Sequence, residues 1–250
     1  MIPSNIKGIL CDIGGVLYVG DTPYPGATEA INRLKAKFPV RFLTNTTQKT
    51  GAQVVEKLQK MGFDVDASEV ITALDVTKSY LQEHHSRAIL LLTDHAAAFF
   101  DDLPQEPYRY VVVGDAQENF SYQRLNESFR LLIHGGELLA AANNRYFKDD
   151  DNELSMDAGP FVSALENASG KKAHVIGKPS ADFYHLACRS IGIDPEFTIM
   201  IGDDIQSDVL GAQNAGIKGI LVRTGKFTPK DLDGTIVPDD IVDSIADLDL

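Results

Sequence analysis

The sequence predicts an α/β protein in which a parallel β-sheet is flanked by helices. Short runs rich in β-branched residues alternate with amphipathic stretches, which is typical of strands and helices that follow one another in such a sheet. The same rhythm occurs near both ends of the chain. With 250 residues, of which 44% are hydrophobic, the chain can bury a substantial core as one large or two modest domains.

The N-terminal part is predicted to form a βαβα unit. Its strand, helix, strand and helix are expected over Lys7–Asp12, Gly26–Lys37, Val40–Thr44 and residues 50–61. Ala27, Ile31 and Leu34 recur at helical spacing and would form the buried face of the first helix. Thr50 and Gln53 have the spacing of a capping box, which indicates where the second helix begins.

The C-terminal part repeats this rhythm. A strand, a helix and a second strand are expected over Thr198–Gly202, Ile205–Ala215 and Gly219–Val222. Beyond Lys226 the chain contains seven aspartates, and this tail is predicted to be a solvated surface with one short helix over Ile241–Leu248.

The residues between these two parts follow another pattern. Strands and helices are expected over Ala88–Leu92, Tyr110–Val113, Tyr122–Ile133, Leu138–Ala142 and Phe161–Ala168, with a polar hairpin through Asp149–Asp151. A section of this size needs a core of its own, which predicts a domain inserted into another. Residues 1–78 and 179–250 would then form the core domain, and residues 79–178 the inserted domain.

Charge and composition exclude several classes of partner. The chain has 23 Lys and Arg against 36 Asp and Glu, a net charge of −13, which argues against nucleic acid or an anionic membrane surface as a partner. No apolar run approaches the about 20 residues that a membrane-spanning helix needs. The first residues contain no long apolar segment, so we expect no cleavable signal peptide. Cys11 and Cys188 lack metal or redox spacing, which favours a reduced, cytoplasmic chain.

Residues suited to chemistry concentrate at four places where a predicted strand ends or a predicted helix begins, which is where open α/β sheets place ligands. The four segments are Cys11–Leu17, Leu43–Thr47, Gly177–Ser180 and Met200–Asp208. Taken singly, the first three can be a capped turn, a polar loop and a solvated lysine. In the fourth, Asp204 and Asp208 are four residues apart on a predicted helix and would repel each other, which favours a bound cation. Oxygen ligands on such a scaffold favour Mg²⁺.

In this order the four segments resemble the motifs of the haloacid dehalogenase (HAD) superfamily, most of whose members are Mg²⁺-dependent phosphohydrolases that act through an aspartyl phosphate. The 132 residues between Asn45 and Lys178 resemble the large type-2 cap insertion of the NagD-like branch. The resemblance implies a Rossmann-like parallel-sheet core with an inserted α/β cap domain. It also implies a small phosphorylated substrate and a homodimer formed through the cap.

The resemblance further implies a role for individual residues. Asp12 would be the nucleophile that attacks phosphorus, and Lys178 would neutralise charge between the phosphoryl group and Asp12. The phosphoryl group would be held by Ile13, Gly14, Thr44, Asn45, Thr46 and Lys178. The ligands of Mg²⁺ would be Asp12, the carbonyl of Gly14, and Asp203. The water around the metal would be oriented by Asp204 and Asp208.

One position departs from the family pattern. Most phosphatases of the superfamily have a second aspartate two residues after the nucleophile, which serves as general acid and base, and this chain has Gly14 there. Positioned acid–base catalysis contributes typically about 10²- to 10⁴-fold, so its loss should slow substrates with poor leaving groups most. We therefore expect a preference for pyrophosphate, aryl or acyl phosphates, and P–N bonds such as those of phosphohistidine and phospholysine.

Gly14 also leaves open a different class of function, a catalytically weak phospho-ligand-binding or regulatory protein that has kept the fold without the general acid. A phospho-acceptor receiver domain has no place for the middle insertion, and a dehalogenase has no use for the acidic cluster at Asp203. Asn143, Arg145 and Lys148 are candidates for substrate contacts from the cap, although a solvated hairpin explains the two charged residues equally well. The Thr-Asn-Pro-Asp pattern of the larger NagD-like proteins is absent here.

Overall fold

The computed structural model describes residues 3–104, 106–148 and 153–249. Two compact units are present, and each is built from discontinuous parts of the chain. The core unit comprises Met1–Thr44, Gly51–Ile71 and Lys178–Leu250, and the inserted unit comprises Asn45–Thr50 and Thr72–Gly177. The division therefore differs from the expected boundaries at residues 78 and 178.

The differences at the boundary have a physical origin. The helix that begins at Ala73 belongs to the inserted unit, where its Lys78 pairs with Asp102 and donates a hydrogen bond to the carbonyl of Phe99. Lys178, in contrast, belongs to the core unit. Contacts between residues distant in sequence determine to which unit this helix and Lys178 belong. No local change in composition indicates either boundary.

Strands and helices alternate along the described residues as the sequence predicts. The strands are β1 (Gly8–Asp12), β2 (Tyr18–Val19), β3 (Thr22–Pro23), β4 (Val40–Thr44), β5 (Val70–Thr72), β6 (Arg87–Leu91), β7 (Tyr108–Val113), β8 (Glu137–Ala140), β9 (Tyr146–Lys148), β10 (Leu154–Met156), β11 (His174–Val175), β12 (Thr198–Gly202), β13 (Lys218–Val222) and β14 (Asp240–Val242). The α-helices are α1 (Ala27–Lys35), α2 (Gly51–Lys60), α3 (Ala73–Glu83), α4 (Asp94–Ala98), α5 (Tyr122–Ile133), α6 (Ala158–Ser169), α7 (Ala181–Ile191) and α8 (Gly211–Asn214). Short 3₁₀ turns cover Ala67–Glu69, Gln117–Asn119, Pro195–Phe197, Pro229–Leu232 and Ile245–Asp247, and a π-helical turn covers Ile205–Leu210. Within these described stretches, no helix combines the length and apolar character needed to cross a membrane.

A six-stranded sheet in the order β14-β13-β12-β1-β4-β5 forms the centre of the core unit. The pairings of β1 with β4 and β12, and of β13 with β12 and β14, are all parallel. The chain passes from β1 to β4 on one side and returns to β12 on the other, so the carboxyl ends of these three strands surround a topological switch point. Ligands of open parallel sheets bind at such points.

Both units bury an apolar core. In the core unit Ile9 and Cys11 of β1 point to the same cluster as Ile31 and Leu34 of α1, and all four are at most 1% exposed. This confirms the predicted buried face of the first helix. Burying each large aliphatic side chain contributes about 1.5–3 kcal/mol, so this cluster is what holds β1 and its carboxyl end in place.

The prediction of a short helix over Ile241–Leu248 is wrong. Instead, β14 extends the sheet by pairing in parallel with β13, and it is followed by the 3₁₀ turn Ile245–Asp247. The carboxylate of Asp239 accepts hydrogen bonds from the Gly219 backbone N–H at 2.9 Å and from the Gln213 side chain at 3.0 Å. At least one aspartate of this tail therefore has a structural role, because it fixes the entry into β14.

The inserted unit has a four-stranded parallel sheet in the order β11-β8-β7-β6. Val111 of β7 and Leu138 of β8 pack with Val162 and Leu165 of α6 in a separate cluster. Strands β9 and β10 pair antiparallel as the two arms of the expected hairpin. The turn of that hairpin, Asp149–Asp151, lies outside the described residues.

Candidate active site

Three buried carboxylates converge at the carboxyl end of the core sheet. Asp12 ends β1, Asp203 directly follows β12, and Asp208 lies in the π-helical turn after it. One oxygen from each lies within 4.8 Å of the others. The three residues are 8%, 2% and 1% exposed, so bulk water does little to compensate their charge.

Lys178 bridges two of these carboxylates. Its Nζ donates a hydrogen bond to Asp12 Oδ1 at 2.5 Å and another to Asp208 Oδ1 at 2.7 Å. Burial lowers the pKa of Lys178, but the charges of Asp12 and Asp208 outweigh this effect and raise the pKa well above its ordinary value. The side chain is therefore a fixed ammonium group between two buried carboxylates.

One buried ammonium does not balance three buried carboxylates. Burial, followed by repulsion from Asp12 and Asp208, raises the pKa of Asp203 to about 8. Burial also raises the pKa of Asp208 to about 6, although Lys178 opposes that shift. Such a cluster of oxygen donors with excess negative charge fits a hard divalent cation, because the cation would supply the missing positive charge.

Two glycines and one backbone N–H fix the carboxylate of Asp203. Gly15 and Gly225 have φ values of +84° and +61°, and a Cβ atom on either would lie 2.0 Å from Asp203 Oδ2. The backbone N–H of Lys226 donates to the same oxygen at 2.6 Å. Thr224 Oγ1 donates to the carbonyl of Gly15 at 2.5 Å and ties the two loops together. The sequence predicts no role at this site for the loop, although Gly225 and Lys226 lie shortly after β13, at the same edge of the sheet.

Asp204 differs from the expectation that it shares a helix face with Asp208. It lies at the N-cap of the π-helical turn, and its carboxylate accepts backbone hydrogen bonds from Gln206 and Ser207 at 3.0 and 2.9 Å. Its own N–H donates to Asp208 Oδ2 at 3.2 Å. Despite its burial, the nearby charge of Lys226 and these N–H groups lower the pKa of Asp204. The capping position thus stabilises the charge of Asp204, although this charge still contributes to the raised pKa of Asp208.

The segment around Lys178 also differs in detail from the prediction. The sequence Gly177–Ser180 predicts that Pro179 lies in the first turn of a helix. Instead, α7 begins at Ala181 with Ser180 as its N-cap, so Pro179 precedes the helix. The Lys178–Pro179 peptide bond is cis. Lys178 is therefore presented from a loop, and its ammonium group still reaches the carboxylates.

The predicted phosphate-binding residues Ile13, Gly14, Thr44, Asn45 and Thr46 lie at or just after the carboxyl ends of β1 and β4. In the core unit, Ile13 is buried, Gly14 is exposed and Thr44 is the last residue of β4, which pairs with β1. Asn45 and Thr46 begin the first segment of the inserted unit. A Cβ atom built on Gly14 would meet no heavy atom within 4 Å.

The three residues expected to contact substrate from the inserted domain all lie in the inserted unit. Asn143 and Arg145 are exposed and follow the carboxyl end of β8. Lys148 is the last residue of β9. All three therefore stay candidates for substrate contacts.

Comparison with known proteins defines the class. Residues 9–104 match the family profile of haloacid dehalogenase-like hydrolases, and residues 175–248 match that of HAD-hydrolase-like proteins. The chain is 44% identical to the haloacid dehalogenase-like hydrolase domain-containing protein 2 of Bos taurus, over 91% of this chain and 88% of the relative. The chain therefore belongs to the HAD family of hydrolases.

Further similarities narrow this class. Phospholysine phosphohistidine inorganic pyrophosphate phosphatase of Homo sapiens is 41% identical over 91% of this chain and 87% of its own length. Two solved structures share the fold over almost the whole chain. The 4-nitrophenylphosphatase of Thermotoga maritima has a TM-score of 0.89 and 29% identity, covering 97% of this chain and 95% of its own. NagD of E. coli K-12 has a TM-score of 0.88 and 25% identity, covering 98% of both chains.

These similarities confirm the resemblance to the NagD-like branch and place the chain among the HAD-type phosphatases. Several short segments predict the similarity to the human relative: they are Thr44–Thr47, Arg145–Lys148, Gly159–Val162 and Val222–Lys226. The alternative of a non-catalytic phospho-ligand-binding protein is not favoured, because relatives over most of the chain are phosphatases by name.

Proposed function

We propose that the protein is a Mg²⁺-dependent phosphohydrolase that forms an aspartyl phosphate on Asp12 and prefers substrates with good leaving groups. The observation that carries this proposal is the convergence of Asp12, Lys178 and two further buried carboxylates at the switch point of the sheet. A buried nucleophile beside a fixed ammonium group and an uncompensated anionic cluster suits the transfer of a phosphoryl group.

In the first step of the proposed reaction, a carboxylate oxygen of Asp12 forms a bond to phosphorus while the bond from phosphorus to the leaving group breaks. The leaving group departs with the bonding electron pair. Water then attacks phosphorus, the bond to Asp12 breaks, and phosphate and the free carboxylate result. Two easier displacements thereby replace one difficult displacement.

Each charged group of the cluster has a place in this scheme. Lys178 lies where negative charge passes between Asp12 and the phosphoryl oxygens, and Asp208 holds its ammonium group there. Asp12, the carbonyl of Gly14, and Asp203 would hold Mg²⁺, which when bound supplies positive charge toward the phosphoryl oxygens. Asp208 therefore has a positioning role in addition to the one that the resemblance implies.

Gly14 supports the preference for good leaving groups, because it offers no side chain that could protonate a departing alkoxide. The names of two similar proteins point the same way, since one acts on phospholysine, phosphohistidine and inorganic pyrophosphate and the other is a 4-nitrophenylphosphatase.

We expect kcat/KM with Mg²⁺ to be about 100-fold or more higher for pyrophosphate and 4-nitrophenyl phosphate than for glycerol phosphate. Phosphate release measured across this panel tests the proposal, and faster turnover of the alkyl ester would refute it.

Substitution of Gly14 by aspartate is expected to broaden the range of substrates. The position has space for a side chain, and an aspartate there would supply the absent proton donor. We expect Gly14→Asp to raise kcat/KM for glycerol phosphate by about tenfold or more and to leave that for 4-nitrophenyl phosphate nearly unchanged. Gly14→Asn is the matched control, because its amide has the same size and cannot serve as an acid. Equal changes for both substrates in Gly14→Asp would contradict the assigned role of this position.

The effect of Mg²⁺ on stability is expected to depend on pH. The pKa of Asp203 is about 8 in the folded protein, against about 3.9 for an ordinary aspartate. The folded state therefore binds this proton more tightly than the unfolded state. Protonation of Asp203 makes its full contribution to the free energy of unfolding below about pH 4, and this contribution is lost as the pH rises through 8. Because a metal ligand must be deprotonated, Mg²⁺ should raise the melting temperature more at pH 8 than at pH 6.

Thermal unfolding in EDTA and in Mg²⁺ at both pH values measures this difference. The Asp203→Asn variant is the control, since it should lose both the pH dependence and most of the gain from Mg²⁺. Equal gains at pH 6 and pH 8 in the unmodified protein would argue against Asp203 as a ligand.

We also propose a cytoplasmic location and a homodimer formed through the inserted unit. Both cysteines are buried free thiols, which suits a reducing compartment. The dimer rests on the family resemblance alone, and sedimentation equilibrium of the purified protein tests it.

A further inference from the structure

The chain segment directly after β4 packs within the inserted unit. Residues Asn45–Thr50 belong to that unit although Thr44, their neighbour in sequence, belongs to the core unit. We call Asn45–Thr50 the phosphate loop, because the proposed function assigns phosphoryl contacts to Asn45 and Thr46. The residues that hold this loop in the inserted unit therefore bear on the reaction.

Asp115 makes two polar contacts to the phosphate loop. It follows the carboxyl end of β7 and is 8% exposed. Its backbone N–H donates to Thr47 Oγ1 at 2.8 Å, and its Oδ2 accepts a hydrogen bond from Gln48 Nε2. Its Oδ1 accepts a hydrogen bond from the backbone N–H of Gln117 at 3.1 Å, which fixes the carboxylate from its own side.

Two glycines let the same loop approach the sheet of the inserted unit closely. A Cβ atom on Gly114 would lie 2.8 Å from Thr47 Cβ, and one on Gly177 would lie 2.8 Å from Asn45 Oδ1. Any side chain at these two positions would push the loop away. The loop is thus held at Asn45, Thr47 and Gln48, on both sides of Thr46.

We infer that Asp115 is a positioning residue that sets the phosphate loop in the geometry for binding the phosphoryl group. This inference rests on the proposed function, in which Asn45 and Thr46 contact that group. A carboxylate buried to this degree is retained only where hydrogen bonds satisfy it, and here they come from the loop and from the adjoining turn. Groups that bind a reacting phosphoryl must be held by supporting contacts, since a displacement of about 1 Å can lower a rate by about 100-fold.

Introducing a negative charge at Gln48 provides the test. Gln48→Glu replaces the donor to Asp115 by a second carboxylate, so repulsion should displace the loop. We expect this variant to bind inorganic phosphate, in the presence of Mg²⁺, about tenfold or more weakly and to lose kcat/KM by a similar factor. The double variant Gln48→Glu/Asp115→Asn restores a donor–acceptor pair with reversed polarity, and we expect recovery to within about threefold of the unmodified protein. Gln82→Glu, the same change at an exposed site of the same unit, is the matched control.

Calorimetric titration of inorganic phosphate, kcat/KM for 4-nitrophenyl phosphate and melting temperature are measured for each variant. A folded Gln48→Glu protein with unchanged phosphate affinity and kcat/KM would overturn the inference, and so would a loss that persists in the double variant. If Gln48→Glu does not fold, the isosteric Thr47→Val variant decides, because it removes only the acceptor for the Asp115 N–H. Unchanged phosphate affinity in Thr47→Val would then overturn the inference.

The proposed phosphohydrolase function and the positioning role of Asp115 can be refuted separately. A protein that binds phosphate but hydrolyses nothing would refute the proposed function, and the phosphate affinities of the variants would still decide the role of Asp115. A protein that hydrolyses 4-nitrophenyl phosphate equally well with and without the Gln48 contact would refute the positioning role alone. A protein that neither binds nor hydrolyses phosphate would refute both.

Discussion

Substitution of Asp12 by asparagine is expected to abolish phosphate release, with a fall in kcat of about 10⁴-fold or more. The two side chains have the same shape, so the surrounding packing of β1 stays intact. The amide, however, is a poor nucleophile and cannot form the aspartyl phosphate. The measurement is release of phosphate from 4-nitrophenyl phosphate at saturating Mg²⁺, together with trapping of the phosphorylated protein.

The change should leave the fold intact, because it removes one of three mutually repelling buried carboxylates. Since the charge of Asp12 contributes to the raised pKa of Asp203, that pKa should fall in the variant. The matched control is Asp233→Asn at an exposed position of the core unit, which should keep full activity. Activity above one per cent of the original in Asp12→Asn would show that another residue attacks phosphorus.

Removal of the ammonium group of Lys178 has the second largest expected effect. Lys178→Met keeps much of the length of the side chain but leaves Asp12 and Asp208 without their shared countercharge. We expect kcat/KM to fall by about 10²- to 10³-fold, as for the loss of one preorganised electrostatic group. Removal of one partner from a buried ion pair also costs about 3–5 kcal/mol of unfolding free energy.

The loss of stability in Lys178→Met should depend on pH. Lys178 opposes the rise in the pKa of Asp208, so in its absence that pKa rises above about 6 and the carboxyl becomes protonated more readily. The destabilisation should therefore be smaller at pH 5 than at pH 8. Urea unfolding at both pH values measures it, with the exposed Lys230→Met as the control. A variant with unchanged stability at pH 8 would show that the buried carboxylates do not depend on this ammonium group.

The sequence predicts well that Asp12 and Asp203 come together, because both follow strands directly. Asp12 and Asp203 come within one residue of the ends of β1 and β12, and parallel neighbours end at the same edge of a sheet. The apolar, β-branched runs before them fix the strand bounds, so local pattern alone places these carboxylates together. Lys178 required the family resemblance, since a lone lysine after a glycine carries little local signal.

Other features could not be predicted, since they depend on contacts between distant parts of the chain. Spacing alone places Asp204 and Asp208 on one helix face, whereas the backbone turns at Asp204 and uses its carboxylate as a cap. The segment Asn45–Thr50 lies in the inserted unit, where Thr47 accepts a hydrogen bond from Asp115, 68 residues further along the chain. The pairing of β14 with β13 likewise replaces a local helical tendency by a tertiary contact.

The glycines after Asp12 have opposite consequences for the evolution of this protein. Any nucleotide change that alters the amino acid at a glycine codon introduces at least a Cβ atom or stops the chain. At Gly14 such an atom meets open space, whereas at Gly15 it would lie 2.0 Å from the carboxylate of Asp203. Single substitutions can therefore add a side chain at Gly14 without a clash, whereas any side chain at Gly15 would displace that carboxylate. A side chain at Gly225 is excluded for the same reason, so Asp203 Oδ2 constrains both Gly15 and a position 210 residues away from it.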